Sequence, residues 1–307
     1  MQIYHSIKEI PSHDKVVLAL GFFDGCHLGH QKVFEETEKL AEEKGALPGA
    51  LTFYPHPLTV LSPDIHVPLL QNREEKLESL EQAGMKFVVL ITPDMEFLKE
   101  SPEDFMKELK GISGLSGLVC GENFTFGERA KGTPEVLKKY FEDSRVTVRI
   151  MGLLSGKGET FSSTAIRKAV EEGRMREAAG YLGRPYTTKG DVVHGFKRGS
   201  DILGFPTANL SLSDDRVIPA DGVYATRAIL HGKTYPAVTN VGKNPTFENK
   251  ERTIETFIFD FDQSIYGEPF TLEWIERIRG EIRFDSFEDL RTAIEKDIER
   301  AKDILNA

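Results

Sequence analysis

The feature that most constrains this chain is a change of grammar near residue 183. Before it, short apolar runs alternate with helix-period patterns. After it, strands follow one another with only turn signals between them. VVLALG (16–21), ALTFYP (50–55), FVVLIT (87–92), GLVCG (117–121) and VTVRIM (146–151) read as five buried strands. Between them run helical stripes: Val33, Phe34, Leu40 and Ala41 before a stop at Gly45, then Leu77 and Leu80 before Gly84. Ser101-Pro102 with Asp104, and Thr133-Pro134, spell two further helix starts. This alternation predicts a parallel sheet covered on both faces, with ligands beyond the carboxyl ends of the strands.

Residues 162–183 predict helix punctuated by glycine. Beyond them VYATRAIL and TYPAVTNVG flank HGK (231–233), a hairpin loop, and TIETFIFDFD and FTLEWIERIRG follow. A last amphipathic helix is expected from Ser286, with Asp289 at its third position and Phe287, Leu290, Ile294, Ile298 and Leu305 on one stripe. Close strands predict an antiparallel sheet or small barrel, with this helix as plug or cover. Two domains are therefore expected, 1–183 and 184–307.

Composition narrows the partners. Lys+Arg total 39 against 49 Asp+Glu, a formal net charge of −10, which disfavours nucleic acid but permits small phosphorylated ligands at a locally positive site. No run reaches the roughly 18 apolar residues of a membrane span, and the N-terminus lacks a signal-like apolar stretch. Cys26 and Cys120 supply neither a disulfide framework nor a four-cysteine zinc site, and point to free thiols in a reducing cytoplasm.

GFFDGCHLGHQ (21–31) is the first stretch that carries chemistry. A glycine-rich turn between a strand and a helix lets backbone approach a phosphate, and the helix start adds unpaired N–H groups. Gly21, Gly25 and Gly29 are the candidates for that approach, with His27 and His30 as added donors. The two histidines also fit a metal pair lacking a third ligand, or polar residues at a helix start. Neither a Walker A sequence nor a GxGxxG fingerprint is present.

Together with two later segments, this stretch resembles a known family. HLGH is similar to the HxGH signature of nucleotidyltransferases, and GFFDGCHLGHQ to its form in bacterial FAD synthetases. GENFTFGERAKGT (121–133) and FSSTAIR (161–167) resemble that family's later motifs in order, and TFYPHP (52–57) also fits. The resemblance implies a Rossmann-like nucleotidyltransferase fold and adenylyl transfer from ATP to FMN, giving FAD. It gives His27 and His30 the α-phosphate transition state, and makes Gly21, Phe23, Gly25, Gly29 and Asn123 nucleotide-binding positions. Ser163 and Arg167 would hold the leaving pyrophosphate. Cys26 stands where the family usually has valine, either as a reactive thiol at a helix start or as a small apolar filler.

VVHGFKRGSDILGFPTANL (192–210) resembles the riboflavin kinase signature, and bifunctional bacterial flavin enzymes carry such a domain second. The resemblance implies a β-barrel kinase that phosphorylates riboflavin to FMN. Gly195, Lys197 and Arg198 would bind nucleotide phosphates. Thr207 and Asn209, two apart on extended chain, present hard oxygens to one Mg²⁺ brought with ATP. Glu255 shares a strand face with Phe257, Phe259 and Phe261, a partly desolvated setting suited to a general base, and the resemblance gives it the riboflavin 5′-hydroxyl proton. NPTF (244–247) also fits. The usual GRxLGFP becomes GSDILGFP, with Ser200 for arginine and one extra residue. That departure leaves open an FAD synthetase with a weakened kinase domain, and a flavin-binding regulatory module is a third reading.

Overall fold

A computed structural model describes residues 1–62, 64–65, 67–156, 159–193, 207–212, 215–243 and 252–306. They form two compact units, Met1–Ser163 and Thr164–Ala307.

The first unit is a six-stranded sheet in the order β1-β4-β3-β2-β5-β6, parallel throughout. Its strands are β1 (Gln2–Tyr4), β2 (Val16–Leu20), β3 (Leu47–Phe53), β4 (Phe87–Ile91), β5 (Leu115–Gly121) and β6 (Thr147–Met151). The five expected strands are present. The sixth, β1, is a three-residue edge strand, too short to register as an apolar run. Helices α1 (Leu28–Lys44), α2 (Pro57–Leu61), α3 (Arg73–Gln82), α4 (Pro102–Lys110) and α5 (Pro134–Tyr140) connect them.

Every side chain of β2 is buried, because both faces of the sheet are covered. Val16, Leu18 and Leu20 pack with Phe105, Leu109 and Leu137 on one face. Val17 and Ala19 pack with Val33, Phe34, Leu40 and Leu80 on the other. Each such large side chain contributes roughly 1.5–3 kcal/mol by leaving water. The helix starts follow their caps: Ser101 and Thr133 accept from the backbone N–H of the third residue of α4 and α5, Asp104 and Val136. Helix α1 stops at Gly45, whose φ of 58° lies in the left-handed region. A small hairpin, β7 (Ser155–Gly156) and β8 (Glu159–Thr160), follows the sheet.

Helix α6 (Ser163–Glu171) begins on the last residue of the first unit, and α7 (Met175–Leu182) follows it. The second unit is a closed antiparallel barrel in the order β10-β13-β12-β11-β14-β9. Its strands are β9 (Tyr186–Val193), β10 (Ala208–Ser211), β11 (Gly222–Leu230), β12 (Lys233–Lys243), β13 (Arg252–Ile258) and β14 (Pro269–Arg279). The β11–β12 loop is two residues, with His231 and Gly232 at φ 48° and 75°. Lys233 belongs to the strand rather than the loop, since two positive φ values match the twist of a hairpin.

The terminal helix α8 (Phe287–Leu305) is a cover, not a plug. Its Ala301 and Leu305 pack on Val223, Ala225 and Val238, one set of alternate strand positions. The other set faces the barrel interior, where Thr226 and Thr239 hydroxyls lie 2.8 Å apart and Thr239 and Thr256 3.0 Å. Trp274 fills the same interior and donates to Thr188 Oγ1 at 3.0 Å. The expected helix stripe holds only in part. Phe287 is 61% exposed, because the packing begins further along, where Asp297 and Ala301 are buried instead.

Candidate functional sites

In the first unit, β2 lies between β3 and β5, and the chain winds to β3 on one side and later to β5 on the other. This reversal opens a crevice at the carboxyl ends of β2 and β5. The turn 21–27 leaves β2 there, and Asn123 follows β5, with its Oδ1 folded back toward Gly121. The turn is tight: Phe23, Gly25 and Cys26 have φ of 54°, 85° and 42°. Two non-glycine residues in the left-handed region store strain of a kind concentrated at ligand sites.

His27 is the N-cap of α1. Its Nδ1 accepts from the N–H groups of Gly29 at 3.1 Å and His30 at 3.4 Å. Because Nδ1 accepts, the proton of the neutral ring sits on Nε2 and remains available to donate. His27 is 5% exposed. Burial pulls its pKa down to about 4, with Asp24 acting weakly the other way. The His30 ring stacks on it at 3.6 Å. Burial first, then His27 and Lys76, hold His30 well below the ordinary imidazole range. Its Nδ1 is enclosed and has no hydrogen-bond partner among the described residues. Two uncharged imidazoles therefore stand together at a helix N-terminus.

The glycines serve the turn itself. A Cβ on Gly21 would sit 2.6 Å from the Phe23 ring, and one on Gly29 would sit 3.0 Å from the His27 ring. Phe23 is buried against Phe34 and His30, so its ring packs beneath the turn rather than facing a ligand. Ser163 Oγ donates to the Asp24 carbonyl at 2.8 Å, and Arg167 lies one helical turn further along α6. Cys26 is 4% exposed, with Sγ toward the Phe23 carbonyl at 3.6 Å. It sits in the core beside Val33 and Phe34 as a filler.

Sequence reading passed over two residues here. Asp24 accepts from the N–H groups of Leu70 and Gln71, pinning the segment before α3 to the turn. Lys76 is buried and donates to the carbonyls of Phe22 and Phe53. The signal was its spacing, four residues before the inward Leu80.

In the second unit, register brings Asn209 directly opposite Glu255, and Glu255 opposite Asn240. Paired residues on adjacent strands point to one face, so the three form a row on the outer wall, on the side of Phe257. Asn240 was not anticipated. Thr207 immediately precedes β10. Burial raises the Glu255 carboxyl above its ordinary range, partly offset by a hydrogen bond from Thr253. Phe259 and Phe261 lie beyond the end of β13: Phe259 packs under α8 and Phe261 against Tyr235. Gly195, Lys197, Arg198, Ser200 and residues 244–247 lie outside the described residues.

Comparison with known proteins bears on both units. A family model for FAD synthetase matches residues 9–165, and one for riboflavin kinase matches residues 182–305. The bifunctional riboflavin kinase/FMN adenylyltransferase of Bacillus subtilis is 38% identical, over 97% of this chain and 94% of its own. The protein of the same description from Listeria monocytogenes is 39% identical, over 92% and 90%. A crystal structure described as a macrolide-efflux protein from Streptococcus pneumoniae aligns with TM-score 0.89 and 34% identity, covering 98% of each chain. No helix among the described residues is long and apolar enough to cross a membrane. With both halves matched in order and relatives aligned along nearly its whole length, the chain belongs to the bifunctional riboflavin kinase/FMN adenylyltransferase family.

Proposed function

We propose that this chain makes FAD from riboflavin in two ATP-dependent steps in the cytoplasm, with residues 184–307 forming FMN and residues 1–183 adenylylating it. The observation that carries the second step is the stacked pair of uncharged imidazoles at the switch point of the sheet. An FMN phosphate oxygen attacks the α-phosphorus of ATP, and the bond to the bridging oxygen breaks as pyrophosphate leaves. Positioning and charge stabilisation are the whole task of the protein here. His27 Nε2–H and His30 donate to the α-phosphate as charge builds, Asn123 places the nucleotide phosphates, and Ser163 and Arg167 hold the pyrophosphate.

In the kinase step, Glu255 takes the 5′-hydroxyl proton of riboflavin as that oxygen attacks the γ-phosphorus and ADP leaves. A hydroxyl and an amide oxygen at alternate positions fit a hard divalent cation, so Thr207 and Asn209 are the residues that would hold Mg²⁺. Bound there, the ion would neutralise phosphate charge. Gly195, Lys197 and Arg198 complete the nucleotide site in this proposal.

Incubation with riboflavin, ATP and Mg²⁺, followed by chromatography, tests the reading. FAD formed from riboflavin supports it. FAD formed only from added FMN leaves an FAD synthetase alone, the outcome the Ser200 departure would favour. Binding without turnover leaves a regulatory module. The variant His30→Ala is expected to lower kcat/KM for FAD formation by more than about tenfold, and near-wild-type turnover would refute the assignment.

A further inference from the structure

We infer that Lys76 is a positioning residue for adenylyl transfer: its buried Nζ ties the carboxyl ends of β2 and β3 together under the glycine turn, and its charge acts on His30. The inference rests on the reading of His27 and His30 given above.

A lysine that is 1% exposed is an expensive choice on the inward side of α3, beside Leu80. A leucine would satisfy the packing of α3. What Lys76 does instead is specific. Its Nζ donates to the Phe22 carbonyl at 2.8 Å and the Phe53 carbonyl at 3.1 Å. Those carbonyls lie just beyond the end of β2 and at the end of β3, next to the switch point. The Phe22 carbonyl also accepts from Thr52 Oγ1 at 2.8 Å. Nζ lies 3.8 Å from the centre of the Phe22 ring, a cation–π contact that further fixes the first residue after Gly21. Lys76 thus holds the turn from which His27 and His30 are displayed.

The charge has a second consequence. Among the described residues, the charged or titratable groups acting on His30 are His27, at the start of its own helix, and Lys76, on α3. Asp24 acts on His27 instead. A positive charge on Lys76 disfavours a second one on His30, so the imidazole stays a neutral partner for phosphate at lower pH than it otherwise would.

The test uses Lys76→Met and Lys76→Arg in the full chain. FMN adenylylation is followed from pH 5 to pH 9, and riboflavin kinase turnover of the same preparation monitors integrity of the second unit. Lys76→Met is expected to lower kcat about tenfold, with a smaller change in KM for ATP. It should also move the acid limb of the rate profile to higher pH, while Lys76→Arg retains the wild-type limb. Carbon-detected NMR titration of the His30 ring should show the same shift without turnover. An acid limb and a His30 titration that stay unmoved in Lys76→Met overturn the inference, whatever happens to kcat. Should that variant not fold, Lys76→Gln, which keeps a hydrogen-bond donor without the charge, decides by the same two readouts: an unmoved acid limb and His30 titration overturn the inference, and a shift to higher pH supports it. Activity retained in His30→Ala would instead remove the site reading beneath it, a separate result.

Discussion

A single imidazole illustrates how local chemistry at the residue scale sets both shape and charge. His27 closes the first turn of α1 by accepting two N–H groups, and it can do so only while Nδ1 is unprotonated. Folded His27 titrates near 4, whereas in the unfolded chain it titrates near 6.5. Between those values the unfolded state binds the proton more readily, so stability is full above about pH 6.5 and is lost as pH falls toward about 4. The loss is of order 3 kcal/mol from this residue, and His30, shifted in the same direction, adds to it. Denaturant midpoints of the wild type and His27→Asn, measured from pH 7.5 to 4.5, should converge as pH falls. Parallel curves would mean that His27 does not carry the effect. Cys26 is expected to resist labelling until the protein unfolds, because its thiol is packed in the core.

Elements show where pattern reading succeeds and where it stops. Five parallel strands, their caps and the Gly45 stop were legible because each rests on a short local rule. The stripe on α3 was legible as Leu77 and Leu80 but not as Lys76, since a charged residue at a core position reads as an interruption until its acceptors are known. On α8 the heptad-like spacing ran on to Phe287, yet the barrel wall covered by this helix is reached only by its later turns. That later half is held by a polar link: Arg279 on β14 donates Nε and Nη2 to the carboxylate of Asp297, with Nη2 at 2.8 Å. Removing one partner of a largely buried pair leaves the other uncompensated. Asp297→Ala should therefore cost about 2–4 kcal/mol in denaturant unfolding, while Phe287→Ser should cost little. On β13, Glu255→Gln should lower riboflavin phosphorylation by roughly 100-fold or more and leave adenylylation of added FMN unchanged. Because burial raises the Glu255 carboxyl, the base is lost to protonation above the ordinary carboxylate range. Kinase activity should accordingly fall on acidification earlier than an exposed carboxylate would allow.

For the whole molecule, two activities on separate halves predict complementation in a mixture. His30→Ala retains the kinase and Glu255→Gln retains the adenylyltransferase, so together they should convert riboflavin to FAD after a lag while FMN accumulates. Failure of the mixture, with each partner active alone, would mean that FMN does not travel through solution. The order of the halves was legible because a change from alternating to consecutive strands needs only periodicity and turn signals. The sites were less so. Register placed Asn240 in line with Glu255 and Asn209, and register arises from pairings between strands far apart in sequence, which no local pattern records.

Thr226, Thr239 and Thr256, three of the threonines inside the barrel, link their hydroxyls across three adjacent strands. Thr239, in the middle, bonds to both Thr226 and Thr256. Thr239→Val should thus cost about 2 kcal/mol and either end about 1 kcal/mol, with the two end substitutions together costing no more than the middle one alone. Thr256 adjoins Glu255 in the chain, so the last of these interior hydroxyls and the proposed base sit on opposite faces of one strand. Loss of kinase turnover in Thr239→Val, but not in Thr226→Val, would show that the interior bond to Thr256 helps hold the strand that carries Glu255.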